Sequence, residues 1–249
     1  MAYPTEEDIY KRICWSADVP DLATLLVCLN EAPKLKRVKI DRLFVAKSGY
    51  SVFQSLESRG VDVFYDAKLI EIPSKLAALA EVECSHNPWM LNCMAGSVSG
   101  GPLEDDDPEK IEGLKRFADA CRAADVNPCA VTVLTSKKPK LVDNEFNGRT
   151  SDEQVLFYVE KLLECGFTDV VCSPNEVPVI RAESRFDDLS LNTPGIKRGE
   201  GGSADQARTN TPAGAFHAGS DMLIIGRDLT KGNPAENLDA IVAEVLATT

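Results

Sequence analysis

Histidine is nearly missing from this chain: only His86 and His217 occur in 249 residues. A His-based metal site or a Ser-His-Asp triad therefore has little material to work with. Positive charge is also scarce, with 27 Lys and Arg against 39 Asp and Glu, a formal net charge of -12 and a pI near 4.7. That balance argues against non-specific nucleic-acid binding and against attraction to an anionic membrane, both of which need clustered basic residues. An anionic small substrate needs only local basic groups. No apolar stretch approaches the roughly 18 residues of a membrane span, and the N-terminal MAYPTEEDIYKR is acidic and lacks the apolar core of a signal peptide. Among the eight cysteines no C-x-x-C pair occurs, and most lie in apolar runs such as ICW, LLVCL and VVCS. They read as reduced core thiols of a cytoplasmic protein, not as a disulfide framework.

What is present is a regular alternation. Short apolar, β-branched runs read as strands at 13–18, 37–41, 61–68, 89–96, 129–136, 169–174, 189–196 and 221–227. Between them lie stretches of helical period, among them DLATLLVCL, SVFQSLES, SKLAALAEV, DPEKIEGLKRFADACRAA, SDEQVLFYVEKLLECG, the short NEVPVIRA, QARTNTPAGAFHAG and PAENLDAIVAEVLA. Strand alternating with helix demands parallel pairing and right-handed crossovers. Eight such units predict a single (β/α)8 barrel over 1–249, with 1–11 as an N-terminal extension; an open doubly wound sheet typically uses fewer strands. The acidic PLEDDDPEK (102–110) reads as a solvated loop carrying a helix N-cap.

In such a barrel the chemistry collects at the C-terminal ends of the strands. Polar residues interrupt the apolar runs there repeatedly: Asp18, then Lys39 and Asp41, Asp66 and Lys68, Asn92 and Cys93, Ser136, and Arg227. Asp66 and Lys68 are two apart on a strand, so both are expected to face the barrel mouth, with Ala67 turned toward the helices. A buried structural ion pair is the competing reading. The eighth strand ends in IIGR, and the seventh in TPGIKRGEGGSADQ. Glycines let backbone N–H groups approach an anion and Arg227 offers a bidentate fork, so these two loops are candidates for holding phosphate. The basic run SKKPK (136–140) reads as a solvated loop that raises the local potential for an anion.

These residues resemble the orotidine 5′-phosphate decarboxylase family, whose central motif Asp-x-Lys-x-x-Asp followed by Ile-x-Asn-Thr is here DAKLIEIPSK. TPGI, a Gly-rich loop, DQ-x-R and IGR-x-x-T follow in the family's order, and WSADVPDLATLL, VKID and VLTS resemble its first, second and fifth strands. The likeness runs from about Ile13 to Thr230. It implies a cofactor-free, metal-free barrel that decarboxylates orotidine 5′-phosphate to UMP in pyrimidine biosynthesis. By position, Lys39, Asp66, Lys68 and Glu71 would form an alternating charge array, with Lys68 as cation and proton donor at C6. Asp18 and Lys39 would meet the ribose and Ser136 the pyrimidine. Pro194 belongs to the substrate-binding TPGI stretch, and Gln206, Gly226 and Arg227 would grip the 5′-phosphate, aided by closure of the 197–206 loop. In the family the last acid of the array comes from the neighbouring subunit, which implies a homodimer with shared sites. Glu71 stands in place of aspartate, Ser74 and Lys75 replace Asn-Thr, and Cys93 falls where a histidine is frequent. Two other readings remain open: a magnesium-dependent phosphosugar enzyme of the same superfamily, such as 3-keto-gulonate-phosphate decarboxylase or hexulose-phosphate synthase, and a barrel that binds nucleotide without turning it over.

Overall fold

Eight parallel strands pair in sequence order and the last returns to the first, in a computed structural model that describes residues 4–98, 107–137, 139–198 and 210–248. They are β1 (Ile13–Ser16), β2 (Arg37–Asp41), β3 (Asp62–Glu71), β4 (Met90–Val98), β5 (Asn127–Val131), β6 (Asp169–Val171), β7 (Ser190–Thr193) and β8 (Met222–Ile225). Closure is made by β8 on β1, Ile13 opposite Leu223 and Trp15 opposite Ile225. The (β/α)8 barrel read from the sequence is the architecture found. A short α1 (Glu6–Tyr10) precedes it. Helix α2 (Leu22–Glu31) follows β1, α3 (Arg42–Ser48) and α4 (Ser51–Glu57) follow β2, and α5 (Pro73–Cys84) and α6 (Pro108–Ala123) follow β3 and β4. Then come α7 (Pro139–Glu145) and α8 (Ser151–Glu164) after β5, α9 (Val177–Arg181) after β6, α10 (Pro212–Ala218) after β7, and α11 (Arg227–Thr230) and α12 (Pro234–Leu246) after β8.

Strand alternation divides the core into two layers. Cys14, Phe64, Met90, Cys129, Val131, Val171, Met222 and Ile224 fill the barrel interior. Their strand neighbours, such as Ile13, Trp15, Tyr65, Leu91 and Ala130, face the helices. The barrel is thus a packed core whose upper layer forms the floor of whatever lies at its mouth. On α12 the buried residues Pro234, Leu238, Ile241, Val242 and Val245 repeat at helical period, and each fully buried aliphatic side chain contributes about 1.5–3 kcal/mol.

Helix starts are locally encoded. Thr150 and Glu153 form a reciprocal capping box on α8, Asp21 caps α2, and proline opens α5, α6, α10 and α12. The cap expected in PLEDDDPEK is Asp107, whose carboxylate accepts from Lys110 N–H at 3.0 Å. All eight cysteines are free thiols, seven of them buried, and burial pushes the Cys14 thiol up to about 12.

Several boundaries differ from the sequence reading. The extension 1–11 contains α1, fastened by its own capping box between Thr5 and Asp8. The basic run expected as a loop leads into α7 at Pro139. Strand β5 stops at Val131 instead of running to 136, while β3 continues past Lys68 to Glu71 because Glu71 pairs with Val98 of a long β4.

Candidate active site

A cavity of about 400 Å³ opens at the C-terminal ends of the strands. Phe64, Val131, Val171 and Ile224 from the barrel interior form its floor. Its walls carry four cations, Lys39, Lys68, Lys197 and Arg227, and four carboxylates, Asp18, Asp41, Asp66 and Asp228. In a chain of net charge -12, this charge-balanced cavity is a comparatively favourable place for an anion.

The cavity is organised by the end of β3. Phe64 faces the interior, Tyr65 and Ala67 face the helices, and Asp66 and Lys68 face the cavity, as period two requires. The pairing with β4 is nevertheless irregular: Tyr65 opposes Leu91 and Leu69 opposes Cys93. The four-residue advance on β3 is matched by two on β4, a bulge of the kind that re-aims side chains beside active sites. Lys68 takes up the distortion with a φ of 45°. That left-handed conformation costs a non-glycine residue about 1–2 kcal/mol. Its N–H donates to Asn92 Oδ1 at 2.7 Å.

Asp66 is the centre of the array, 7% exposed. Its Oδ2 accepts from Lys39 Nζ at 2.6 Å, and its Oδ1 meets Lys68 Nζ at 2.6 Å and Asn92 Nδ2 at 2.8 Å. Burial alone would raise the Asp66 pKa, but the Lys39 and Lys68 charges and their hydrogen bonds outweigh it and hold the carboxyl well below the usual range. For Lys39, burial pulls downward and the charge and hydrogen bond of Asp66, with Asp18 beyond, reverse the sign and raise its pKa. Removing either partner would leave a buried charge uncompensated. The two lysines differ in access: the Lys39 side chain is 14% exposed, that of Lys68 40%. Two ammonium groups around one carboxylate leave one surplus positive charge, and Lys68 presents it to the cavity.

The remaining expected residues divide into those that line the cavity and those that do not. Asp18 lies beside Gly226, its Oδ2 3.8 Å from where a Cβ would sit on that glycine. Pro194, Gly226 and Arg227 all line the cavity. Gly195, with φ 82°, turns the chain into a short bridge between Ile196 and Asn210. Lys197 N–H donates to Asn210 O at 3.0 Å and Arg198 N–H to Asp228 Oδ2 at 2.9 Å, which holds this stretch beside α11. Gln206, and most of the loop expected to close, lie outside the described residues.

Two placements, those of Ser136 and Cys93, depart from the reading of the sequence. Ser136 is exposed in a turn beyond β5, and its neighbour Thr135 is the cavity-lining hydroxyl, because the strand ends early at Val131. Cys93 is fully buried among the outward-facing core residues, so its difference from histidine does not reach the cavity. Glu71 is exposed at the β3 terminus, accepts from Ile72 N–H at 3.2 Å, and is not among the lining residues. Asp41 both borders the cavity and caps α3 through Phe44 N–H at 2.8 Å. Ser16, Lys197 and Asp228 line the cavity without having been singled out in the sequence; strand parity with Cys14 is the signal that places Ser16 inward.

Residues 11–241 match the orotidine 5′-phosphate decarboxylase / HUMPS family. An orotidine 5′-phosphate decarboxylase of Dichelobacter nodosus is 32% identical over 236 residues, covering 94% of this chain and 98% of that protein. One of Pasteurella multocida is 35% identical over 215 residues, covering 86% and 88%. The crystal structure of orotidine 5′-phosphate decarboxylase from Lactobacillus acidophilus superposes with a TM-score of 0.76 at 24% identity, over 94% of this chain and 98% of that one. At that identity the likeness speaks for the shared barrel.

Proposed function

The chain belongs to the orotidine 5′-phosphate decarboxylase / HUMPS family, and from that premise we propose that it converts orotidine 5′-phosphate to UMP and carbon dioxide without a cofactor. The observation that carries this reading is the Lys39–Asp66–Lys68 array at the barrel mouth, with Lys68 directed into the cavity.

The chemistry follows from what the reaction lacks. Breaking the bond between C6 and the carboxylate leaves the electron pair on C6, in the plane of the ring, where no adjacent carbonyl can absorb it. A cation at C6 stabilises that charge, and the same cation can supply the proton that replaces CO2. Lys68 performs both roles: its ammonium faces the developing carbanion, then transfers a proton to C6 and is reprotonated from solvent. Asp66 holds the Lys68 ammonium in place through its ion pair. Asp18 and Lys39 hold the ribose, Ser136 meets the pyrimidine, Pro194 contacts the substrate, and Gly226 and Arg227 grip the 5′-phosphate, the role also expected of Gln206. Binding energy from that remote phosphate serves to position C6 against Lys68.

A homodimer completes the array in this reading. Glu71 stands on an exposed strip with Ile70 and Ile72, which are 54% and 50% exposed. Apolar surface of that kind favours a covering partner, and Glu71 then reaches the partner's site. No described helix is long and apolar enough to cross a membrane, and eight free thiols suit the cytoplasm.

The test is the loss of pyrimidine absorbance when purified protein is incubated with orotidine 5′-phosphate in EDTA. Steady decay supports the assignment. Failure to decay at high enzyme concentration overturns it, and decay that requires added magnesium overturns its cofactor-free character.

A further inference from the structure

We propose that Asn92 is a positioning residue for the decarboxylation, acting through Lys68 and Asp66 and not on the substrate; the inference rests on the function proposed above. Asn92 is completely buried in β4, and its carboxamide makes two contacts at once, one as acceptor and one as donor. Its carbonyl oxygen accepts from Lys68 N–H at 2.7 Å, and its amino group donates to Asp66 Oδ1 at 2.8 Å. The orientation is chemically fixed, since a backbone N–H can only donate and a carboxylate can only accept.

The two contacts fall on the two ends of one lever. Lys68 is held at its backbone by Asn92 and at its ammonium by Asp66, whose position Asn92 also sets. The backbone contact falls where the β3–β4 register shifts and where Lys68 adopts a φ of 45°. There the ladder does not impose a conformation as it does in regular strand, so a side chain from β4 supplies the constraint. Asn92 lies outside the cavity lining, which separates its role from ligand binding. Without it, the bulge is free to relax, the Lys68 ammonium is no longer directed from both ends, and a reacting geometry that tolerates little displacement is lost.

The experiment measures kcat and KM for orotidine 5′-phosphate, UMP affinity by calorimetry, and the number of UMP sites per chain, for wild type, Asn92→Ala and Asn92→Asp. The aspartate keeps an acceptor for Lys68 N–H but offers Asp66 no amide donor. Expected for both variants is a fall in kcat per UMP site of about 100-fold, the scale of a misplaced catalytic group, with UMP affinity within about threefold of wild type. A purely structural role would reduce the number of UMP sites and leave kcat per site unchanged, and that outcome overturns the proposal. So does a loss carried by KM and UMP affinity alone. If Asn92→Ala does not fold, the nearly isosteric Asn92→Asp decides by the same split. A wild-type protein that turns over no orotidine 5′-phosphate defeats the proposed function; an active wild type with unaffected variants defeats only this inference.

Discussion

Lys39 Nζ and Asp66 Oδ2 are 2.6 Å apart at the barrel mouth, and this pair is the buried half of the array. The other half, Lys68 on Asp66 Oδ1, is the accessible one. The same carboxylate therefore anchors one lysine in the wall and holds the other ready at the cavity.

Lys68→Ala removes the cation and the proton source together. Turnover is expected to fall by at least about 1,000-fold, while the circular dichroism spectrum and UMP binding persist, because Lys39 and Asn92 still satisfy Asp66. Near-normal turnover by the absorbance assay would sink the proton-donor role.

Arg227→Ala acts on another part of the cavity lining, after β8. Loss of a charged hydrogen-bonding partner for phosphate is expected to weaken UMP binding and raise KM by about 10- to 100-fold. The catalytic array stays intact. An unchanged KM would refute the phosphate assignment.

The pH dependence of stability follows from Asp66. Its folded pKa lies below the ordinary value of 3.8, so its contribution is present above that value and is lost as pH falls through the lowered one. Urea unfolding of the wild type is expected to show more acid sensitivity below about pH 4 than that of Asp66→Asn, which has no carboxyl to protonate. Parallel curves for the two proteins would contradict the shift. Lys39, whose pKa is raised, contributes in the opposite direction: its stabilisation is present below its ordinary pKa and fades only as strongly alkaline pH passes the raised value.

Glu71 is tested by mixing. Lys68→Ala and Glu71→Ala protomers, each nearly inactive alone, are expected to recover about a quarter of wild-type activity once exchanged. Half of the dimers are then hybrids and half of their sites are intact. No recovery after verified subunit exchange would place Glu71 outside the partner's site.

Much of this architecture was legible because two periods carry it. Alternation placed Asp66 and Lys68 inward and Ala67 outward, and the repeated strand–helix unit led to the closed barrel. The same alternation, applied to β4, turns Asn92 inward and Cys93 outward, so the thiol at position 93 packs against the helices. Strand β5 ends before Ser136, where the sequence reading had ended it. Apolar residues continue past Val131 in VTVL, but Thr132 makes the last strand-like contact, its N–H and Oγ1 both donating to Val171 O at 3.0 and 2.9 Å, and the chain then turns. The bulge in β3 had no local signal, since it arises from a mismatch with a strand more than twenty residues on. Asn92 had a place in the sequence reading and no partner, because its contacts cross between strands.

The left-handed backbone at Lys68 has an evolutionary corollary. On conformational grounds alone, position 68 would drift toward glycine or asparagine, the residues that enter this region most readily. A lysine persists there only if its ammonium is under selection strong enough to override the backbone's preference. Among relatives that have lost the activity, this position should therefore be one of the first to change, and the proteins that change it should gain stability at the bulge.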